Sequence, residues 1–583
     1  MRGLPTVGVK RTSRLVTDSF RGYRAGLRVA DGEFNFTENL TSSHYPMLAT
    51  RALRGTVQTL TDPGGLLEKD ALALVDNGTL YYNGLATGLT GLSSGEKQMV
   101  SMGAYLCVWP DKKYFNTADF SDYGDMEASF TSSGTVSYAM CRSDGTVYES
   151  VTESATEPAQ GSCEVWISTA GGSVAMEWSV SAGGWVEIPT VFTKISFTSH
   201  GQIPALFSEN DAVTVSGAAF EELNGEKQLY AVGGEENGEA DFIVLVGIVG
   251  QSYEQESGTV TLERRIPPLD FVCECQNRLW GCYYGNDGTR NVNEIYASAL
   301  GDFKNWRQYR GLSTDSWAAS VGSDGPWTGA VNYLSSPVFF KENRIHMVAV
   351  SPQGAHRVEE IVCRGVQKGS AKSLQVVSET LYYKSRTDVC AWQGGFPETV
   401  SAALGGERYE AAAAGAFGQK YYISMRNASG VWSLFCYDIA RGLWLREDAL
   451  HAQCFARVDD ELYCIDAATG ALLALNGTAG SLEEGLRWEA RSGVMGYETA
   501  DRKYVSRYNL KLQLAAGASL TAWLEYDSAG TWQKAGEITT EGLRTVLLPV
   551  RPRRCDHLRL KLTGSGACKL LSITRVLEVG SDE

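Results

Sequence analysis

Features that commonly mark a metalloenzyme or a hydrolase are scarce in this sequence. It has only six histidines among 583 residues, and they lie far apart with no Glu or Cys at partner spacing. A metalloprotease helix motif, a nucleophile elbow and a phosphate-binding Gly-Lys-Ser/Thr loop are all missing. The residues therefore predict no catalytic site, no cofactor and no metal, and indicate a protein that is not an enzyme.

Long apolar runs are also missing. The longest, residues 242–249, has eight residues, whereas a membrane-spanning helix needs about 20. The first fifteen residues carry charge without the apolar core of a signal peptide. We therefore expect synthesis in a cytoplasm and no membrane insertion. The 13 cysteines are scattered along strand-like segments, which predicts buried, reduced thiols.

Positively charged residues are fewer than negatively charged ones, but they are concentrated at the N-terminal end of the sequence. The net charge is −16, which argues against a protein whose main task is binding nucleic acid. Residues 1–28 nevertheless carry +6, and the remainder carries −22. This basic arm fits docking onto an acidic neighbour, and direct DNA contact is the alternative. The candidate contact residues in this arm are Lys10, Arg11, Arg14, Arg21, Arg24 and Arg28.

Glycine and aromatic residues are abundant, and the apolar residues alternate. The chain has 63 Gly, 27 Tyr and 14 Trp, a mixture typical of short aromatic strands joined by glycine turns. Helical periodicity is nearly absent, whereas alternating runs bounded by Gly, Asn or Asp recur throughout. One such run, residues 72–82, predicts a strand, an Asn77-Gly78 turn and a second strand. The predicted fold class is all-β.

Units of this kind recur every 40 to 55 residues or so, which is the spacing of β-propeller blades. They predict an irregular β-propeller of about five to seven blades, because a single meander cannot bury its own faces. Changes in the pattern divide the chain into five predicted segments. They are an N-terminal arm with the first blades (1–125), an inserted β-sandwich-like domain (126–203), an inserted small β-barrel (204–265), the remaining blades (266–480) and a C-terminal β-sandwich (481–583).

A few local patterns have both a structural and a functional interpretation. Cys273 and Cys275 lie two apart on a predicted strand but lack further ligands, and the loop around Asp287 resembles a calcium loop only faintly. The acids at 459–461 fall in an apparent hairpin turn, and a glycosidase pair would need a groove. Trp432 and Trp532 are candidates for a sugar-binding platform, with packing as the alternative.

One segment resembles a blade of phage tail proteins. It begins with Arg278-Leu279-Trp280-Gly281 and continues through Tyr296, Gly301-Asp302 and Trp306. The pattern is similar to a blade in the family of tail nozzle and stabilisation proteins. Residues 38–48, and residues 552–557 together with 580–582, resemble the two ends of related proteins. The resemblance implies structural roles, with Tyr296 and Trp306 filling the interfaces between blades and Gly301-Asp302 forming a turn.

The resemblance also implies a setting for the protein. It predicts a structural component of a bacteriophage tail, a virion protein made in the bacterial cytoplasm, which assembles through protein contacts and helps to form or close the DNA channel. The implied partners are portal, adaptor or tail-tip subunits, other copies in a ring for which six is the expected number, and phage DNA in transit. The alternatives are a tail protein that binds a receptor or host surface glycan, and a polysaccharide-degrading tail hydrolase.

Overall fold

A computed structural model describes residues 11–234, 238–247, 250, 252–497, 502–551 and 553–579. Lys10, the side chain of Arg11, Pro552 and residues 580–583 lie outside the described part. The chain is all-β, as predicted, with a single turn of α-helix, α1 (Gln202–Leu206). The first six strands are β1 (Arg11–Thr17), β2 (Gly22–Tyr23), β3 (Glu33–Glu38), β4 (Leu40–Thr41), β5 (Leu48–Thr50) and β6 (Gly55–Thr59).

Two four-stranded blades follow these strands. Blade 1 consists of β7 (Pro63–Lys69), β8 (Ala71–Asp76), β9 (Thr79–Tyr82) and β10 (Leu85–Ala86). Blade 2 consists of β11 (Gln98–Met102), β12 (Tyr105–Trp109), β13 (Lys113–Asn116) and β14 (Tyr123–Asp125). The predicted turn in blade 1 is confirmed: Asn77 and Gly78 both have positive φ, 47° and 70°, as a tight hairpin between right-twisted strands requires.

A large insert separates blade 2 from blade 3. It comprises β15 (Ala128–Thr131), β16 (Val136–Cys141), β17 (Val151–Ser154), β18 (Val165–Ser168), β19 (Val174–Ser179), β20 (Gly184–Glu187), β21 (Phe192–Ser196), β22 (Ala212–Ser216), β23 (Gly225–Gln228), β24 (Ala231–Gly233), β25 (Phe242–Val246), β26 (Tyr253–Gln255) and β27 (Thr261–Arg264). These strands form three sheets, with orders β15-β27-β22-β23, β24-β25-β21-β16-β26 and β17-β18-β19-β20.

This pairing corrects the predicted barrel over 204–265. In the described part of the insert, strands from 204–265 do not close on themselves. Instead β27 pairs with β15 and β25 pairs with β21, both from the segment predicted as a separate sandwich. The first two sheets share one apolar core, which joins residues such as Phe130, Ile195, Val213 and Leu262. An alternating pattern shows which residues face a core but not which strand lies alongside.

The remaining blades run without interruption. Blade 3 has β28 (Phe271–Glu274), β29 (Leu279–Asn286), β30 (Asn291–Ala297) and β31 (Trp317–Ser320). Blade 4 has β32 (Gly329–Tyr333), β33 (Ser336–Lys341), β34 (Arg344–Ala349) and β35 (Arg357–Val362). Blade 5 has β36 (Gln375–Val377), β37 (Thr380–Lys384), β38 (Val389–Trp392) and β39 (Glu398–Thr399).

The sixth and seventh blades close the ring. Blade 6 has β40 (Tyr409–Phe417), β41 (Lys420–Asn427), β42 (Trp432–Asp438) and β43 (Leu443–Asp448), and blade 7 has β44 (Ala452–Val458), β45 (Glu461–Asp466) and β46 (Ala471–Ala474). The outer strand of blade 7 is β6, which pairs with β46. The innermost strands β44 and β7 are in contact, so the propeller has seven blades, with its last blade built from both ends of the propeller segment.

The C-terminal strands form a sandwich together with the N-terminal segment. They are β48 (Arg487–Ser492), β49 (Lys503–Leu514), β50 (Ser519–Tyr526), β51 (Gln533–Ile538), β52 (Gly542–Leu548), β53 (Leu558–Ser565) and β54 (Cys568–Val579), whereas β47 (Ser481–Leu482) pairs with β6 in the sheet of blade 7. Strands β1 and β5 pair with β54, and β3 pairs with β48. Phe20 and Leu48 lie in the same apolar core as the C-terminal strands. Residues 11–54 thus belong to the sandwich and not to the first blades.

Blade 6 and one layer of the sandwich form a single ten-stranded sheet, because β2 pairs with β43 on one side and with β3 on the other. A buried ion-pair cluster reinforces this junction. Arg54 binds Glu447 at 3.0 Å and also Asp448, and Arg51 binds Glu483. The sandwich is therefore fixed to the propeller by continuous hydrogen bonding and by charge pairs.

The mouth of the central channel is bridged. Glu96 precedes β11 in blade 2, and Lys372 precedes β36 in blade 5, three blades away in a ring of seven. Their Oε1 and Nζ atoms are 2.9 Å apart. In the described residues, no helix is long and apolar enough to cross a membrane.

Candidate functional site

A cleft of about 520 Å³ lies between the insert and blade 3. We call it the insert cleft. Its walls are strands β22, β23 and β27 of the insert, the linker 265–268, strands β30 and β31 of blade 3, and the loop 299–316. Volumes of about 300 to 1,000 Å³ are usual for small-molecule sites, which often lie where two structural units meet.

The insert wall presents a row of polar side chains across three adjacent strands. Thr214 is the register partner of Glu226 on one side and of Glu263 on the other. Residues opposite each other in neighbouring strands point to the same face of a sheet. This register therefore brings two carboxylates and a hydroxyl, from positions up to 49 residues apart, to the same side of the cleft.

The blade wall places a carboxylate at the centre of a hydrogen-bond network. Glu294 Oε2 accepts from the Tyr296 hydroxyl at 2.6 Å, and Glu294 Oε1 accepts from Arg290 at 2.8 Å and Ser320 at 3.1 Å. Burial and the neighbouring Glu294 carboxylate raise the pKa of the Tyr296 hydroxyl well above its usual value. The phenol therefore stays protonated and keeps donating to Glu294.

Three arginines stand at the rim, each paired with a carboxylate. Arg290 pairs with Glu294 at 2.8 Å, Arg265 pairs with Glu263 at 2.6 Å, and Arg307 pairs with Glu226 at 2.6 Å. The arginine side chains are 40 to 62% exposed, whereas that of Glu294 is 7% exposed. The opening therefore offers both guanidinium N–H groups and carboxylate oxygens, which can donate to and accept from hydroxyl groups.

Aromatic rings complete the cleft. Tyr296 and Trp306 are buried in its floor, and Tyr309 stands 57% exposed at its edge. The indole N–H of Trp306 donates to Phe303 O at 2.8 Å, and the Tyr309 hydroxyl donates to Trp306 O at 3.4 Å. An exposed ring beside fixed polar groups provides an apolar face with a polar edge.

Tyr296 and Trp306 share an apolar cluster with Val100 and Cys107 of blade 2. The structure therefore places these two residues of the predicted motif at a blade interface and, at the same time, in the cleft.

The other residues of the motif hold the cleft in place. Arg278 is buried and donates to three backbone carbonyls, those of Ser298 at 2.7 Å, Asp315 at 2.6 Å and Ser313 at 2.7 Å. Leu279 and Trp280 are buried in two different clusters. Arg278 thus secures both ends of the loop that carries Trp306 and Tyr309.

Steric crowding explains one of the two motif glycines, and a positive φ explains the other. A Cβ on Gly281 would lie 2.8 Å from the Leu269 side chain, and Gly301 has a φ of +75°. Asp302 follows in the turn and accepts from Lys304 N at 2.8 Å. Both glycines thus occupy positions where a larger residue would clash or be strained.

Asn305 joins the motif loop to the insert. Its Nδ2 donates to Asp211 at 3.0 Å and its Oδ1 accepts from Ala212 N at 2.9 Å. Asp211 also pairs with the buried Arg264. These bonds fix the two walls of the cleft relative to each other.

The basic arm takes another position. Arg11 begins β1, and the side chains of Arg14, Arg21, Arg24 and Arg28 are exposed. Arg24 pairs with Glu33 at 2.9 Å. The arm is remote in sequence from the cleft. Its strand β1 pairs with β54, and its strand β2 lies between β3 and β43, so the structure does not bring these residues together with the motif.

The remaining candidate patterns have structural roles. Cys273 and Cys275 are buried in an apolar cluster, and the Asp287 carboxylate caps its own turn by accepting from Thr289 N and Arg290 N. No group of three or more metal-ligating side chains is present in the described ranges. The Trp532 ring is covered by cations, with Lys561 at 4.8 Å and Arg559 at 5.5 Å.

Trp432 stacks on His451 at a centroid distance of 3.8 Å. The acids at 459–461 lie in the β44–β45 hairpin, where Glu461 accepts from Asn476 N at 2.7 Å and Thr478 N at 2.9 Å. Neither Trp432 nor Trp532 presents a free ring over a groove comparable to the insert cleft. The Glu461 carboxylate is occupied by the backbone N–H groups of its own loop.

No known protein family and no curated protein sequence matches this chain. Solved structures do match. They include an exo-β-1,3-galactanase from Phanerochaete chrysosporium, at 10% identity and a TM-score of 0.22 over 52% of this chain and 94% of that one. A Trypanosoma rangeli sialidase matches at 10% identity and a TM-score of 0.22 over 69% and 93%. The structure of U3-55K matches at 10% and 0.23 over 52% and 88%.

These likenesses concern the fold, and with such low scores they assign no residue a role. They do overturn one prediction. The chain was expected not to be an enzyme because its sequence has no catalytic motif and resembles structural tail proteins. Two of these three matched structures are named as glycan-acting enzymes, so such a sequence is no ground for excluding catalysis.

Sequence reasoning missed the insert wall and its arginines. Glu226, Glu263, Arg265 and Arg307 belong to no motif. Glu226 and Glu263 meet because β23 and β27 both pair with β22, and Arg307 reaches Glu226 from the loop 299–316 of blade 3. The charged run Glu263-Arg264-Arg265, which Ile266 separates from Pro267 and Pro268, was the one local signal, since it ends an alternating strand at the return to the propeller.

Proposed function

We propose that this chain is a glycan-binding β-propeller protein of a phage tail, with the insert cleft as its glycan site. The observation that carries the proposal is the set of three arginine–carboxylate pairs at the rim of a cleft that also exposes the Tyr309 ring. Sugar hydroxyls need paired donors and acceptors, and sugar C–H faces need an apolar ring. The cleft offers both at once.

The tail setting is supported by the resemblance of residues 278–306 to a tail-protein blade. In that setting the exposed arm arginines dock on a neighbouring tail subunit, and several copies assemble into a ring. Since the mouth of the propeller's own channel is bridged by the Glu96–Lys372 pair, any DNA channel would run between subunits. The acidic body, with −22 beyond residue 28, would reduce sticking of phosphate to such a channel wall.

Replacing the exposed ring at the cleft should weaken glycan binding. We expect Tyr309→Ala to lower the affinity for a glycan that the wild type binds by roughly three- to tenfold, because one stacked ring is lost. The measurement is screening of the wild type on a panel of defined glycans, followed by titration calorimetry with the strongest binder. The matched control is Phe396→Ala, a still more exposed ring (78%) on blade 5, away from the cleft.

Three results would contradict the proposal. They are a panel on which the wild type binds nothing, equal affinities for Tyr309→Ala and the wild type, or an equal loss in Phe396→Ala. The same titrations, with chromatography of the glycan afterwards, show whether it is cleaved. If products appear, Glu294→Gln and Glu263→Gln should be compared, since a carboxylate that takes part in cleavage cannot be replaced by an amide.

A further inference from the structure

A second cavity, of about 390 Å³, lies where the N-terminal segment, blades 6 and 7 and the sandwich meet. We call it the sandwich pocket. The residues important here are Thr41, Ser43, His44, Thr50, Gln513 and Lys569. It is separate from the insert cleft, with which it shares no lining residue.

Two lysines supply positive charge to this pocket without a carboxylate to balance it. Lys569 lines the pocket, and Lys420 Nζ donates to two lining hydroxyls, those of Thr41 at 3.0 Å and Ser43 at 2.8 Å. In the described ranges, neither lysine has an Asp or Glu oxygen within 4.0 Å. Two such lysines at one pocket contrast with the net charge of −16 of the whole chain.

The other charged groups at the pocket are already paired. Arg51 binds Glu483, and Glu447 binds Arg54 at 3.0 Å. Asp448 also pairs with Arg54, so this cluster of two arginines and three carboxylates adds no positive charge, and the positive charge at the pocket comes from the two lysines. Burial lowers the pKa of His44, and the positive charges of Lys569 and Lys420 lower this pKa further.

Hydroxyl donors surround the same space. Thr50 Oγ1 accepts from Cys568 N at 3.2 Å, which leaves its own O–H able to donate. Thr41 and Ser43 lie 3.0 Å apart through their hydroxyl oxygens. Lysine ammonium groups combined with several hydroxyl donors suit an oxyanion with three or four acceptor oxygens, and lysine is a common ligand for phosphate.

We propose that the sandwich pocket binds the phosphate group of a small phosphorylated molecule, with Lys569 and Lys420 as its cationic contacts. The pocket volume exceeds what a bare ion needs and lies within the range of small-molecule sites. The phosphate would occupy the lysine end, beside the hydroxyls of Thr41, Ser43 and Thr50. The rest of the molecule would extend along Gln513.

Calorimetric titration of the full chain tests this proposal with two probes, inorganic phosphate and glycerol phosphate. We expect both to bind the wild type, and we expect Lys569→Gln to weaken binding roughly tenfold or more, because a charge-assisted contact is lost. The matched control is Lys534→Gln, an exposed lysine on strand β51 of the same sandwich. That variant should bind phosphate as the wild type does.

A steric variant tests the site without changing its charge. Ala52 is exposed and lines the pocket, so Ala52→Trp should obstruct it while both lysines remain. Tighter binding of glycerol phosphate than of inorganic phosphate supports a phosphorylated small molecule as the ligand. The proposal is overturned if the wild type binds neither probe, or if Lys569→Gln and Ala52→Trp, both folded by their melting curves, bind as the wild type does.

Discussion

Raising the pH from about 8 to about 10 under reducing conditions is expected to unfold this protein. Twelve of its cysteines are buried as free thiols. Burial raises the pKa of eleven of them, to about 11 in Cys454 and about 12 in Cys141 and Cys568. In the unfolded chain a thiol ionises near pH 8.5. The unfolded state therefore gains from ionisation before the folded state does.

The direction follows from linkage. Each folded pKa is above its unfolded value, so the stabilisation is complete below about pH 8.5 and is lost as the pH rises toward the folded value. Each such thiol lowers the free energy of unfolding by about 1.4 kcal/mol per pH unit in that window. For eleven thiols the loss is on the order of 10 kcal/mol over about one pH unit, which is comparable to the whole stability of a typical domain.

Urea unfolding followed by tryptophan fluorescence, at a series of pH values with reductant present, measures this loss. A variant with Cys273, Cys275 and Cys282 all replaced by Ala should show a slope with pH that is shallower by about a quarter, because three of the eleven thiols are gone. The smaller alanine side chains leave cavities, which change the stability of this variant at pH 7. The informative quantity is therefore the slope of the free energy of unfolding against pH. A free energy of unfolding that stays level between pH 8 and 10 would contradict the prediction.

Arg278→Ala is expected to destabilise the protein by about 3–5 kcal/mol. The guanidinium group is buried and holds three carbonyls, those of Ser298, Ser313 and Asp315. Its removal leaves those acceptors without their donor and frees the loop 299–316, which carries the cleft residues Trp306 and Tyr309. Urea denaturation measures the loss, and hydrogen exchange within the loop should rise along with it.

Two variants sharpen this test. Arg278→Lys keeps the charge but not the planar fork of donors, so it should restore only a minor part of the lost stability. Arg386→Ala, at an exposed position on blade 5, should stay within about 0.5 kcal/mol of the wild type. If Arg278→Ala is as mild as Arg386→Ala, the anchoring role assigned to Arg278 is wrong.

Local sequence was enough for the features that depend on neighbouring residues. The all-β class, the Asn77-Gly78 hairpin and the blade-like units of 265–480 follow from alternation and turn residues, which act within a few positions along the chain. The segment Arg278–Gly281 and the turn at Gly301-Asp302 were likewise recognised as parts of one blade. The phage-tail setting remains a proposal, because it depends on resemblance alone.

Contacts between distant segments could not be read in the same way. The period of two along a strand determines which side chains share a face, but any strand of similar pattern satisfies it as a partner. For this reason the separate barrel was wrong, and the pairing of β1 with β54, whose residues are more than 550 positions apart, was not foreseen.

The sequence by itself therefore determined that the chain is a β protein of blade-like meanders with reduced, buried cysteines. The tertiary structure decided the number of blades, the use of β6 to close the seventh, and both cavities. Glu263 and Glu294 come to one cleft, and Lys420 and Lys569 to one pocket, through strand pairing and sheet packing. These residues come together through contacts between segments far apart in the sequence, and the local sequence around each residue contains no pattern that predicts such contacts.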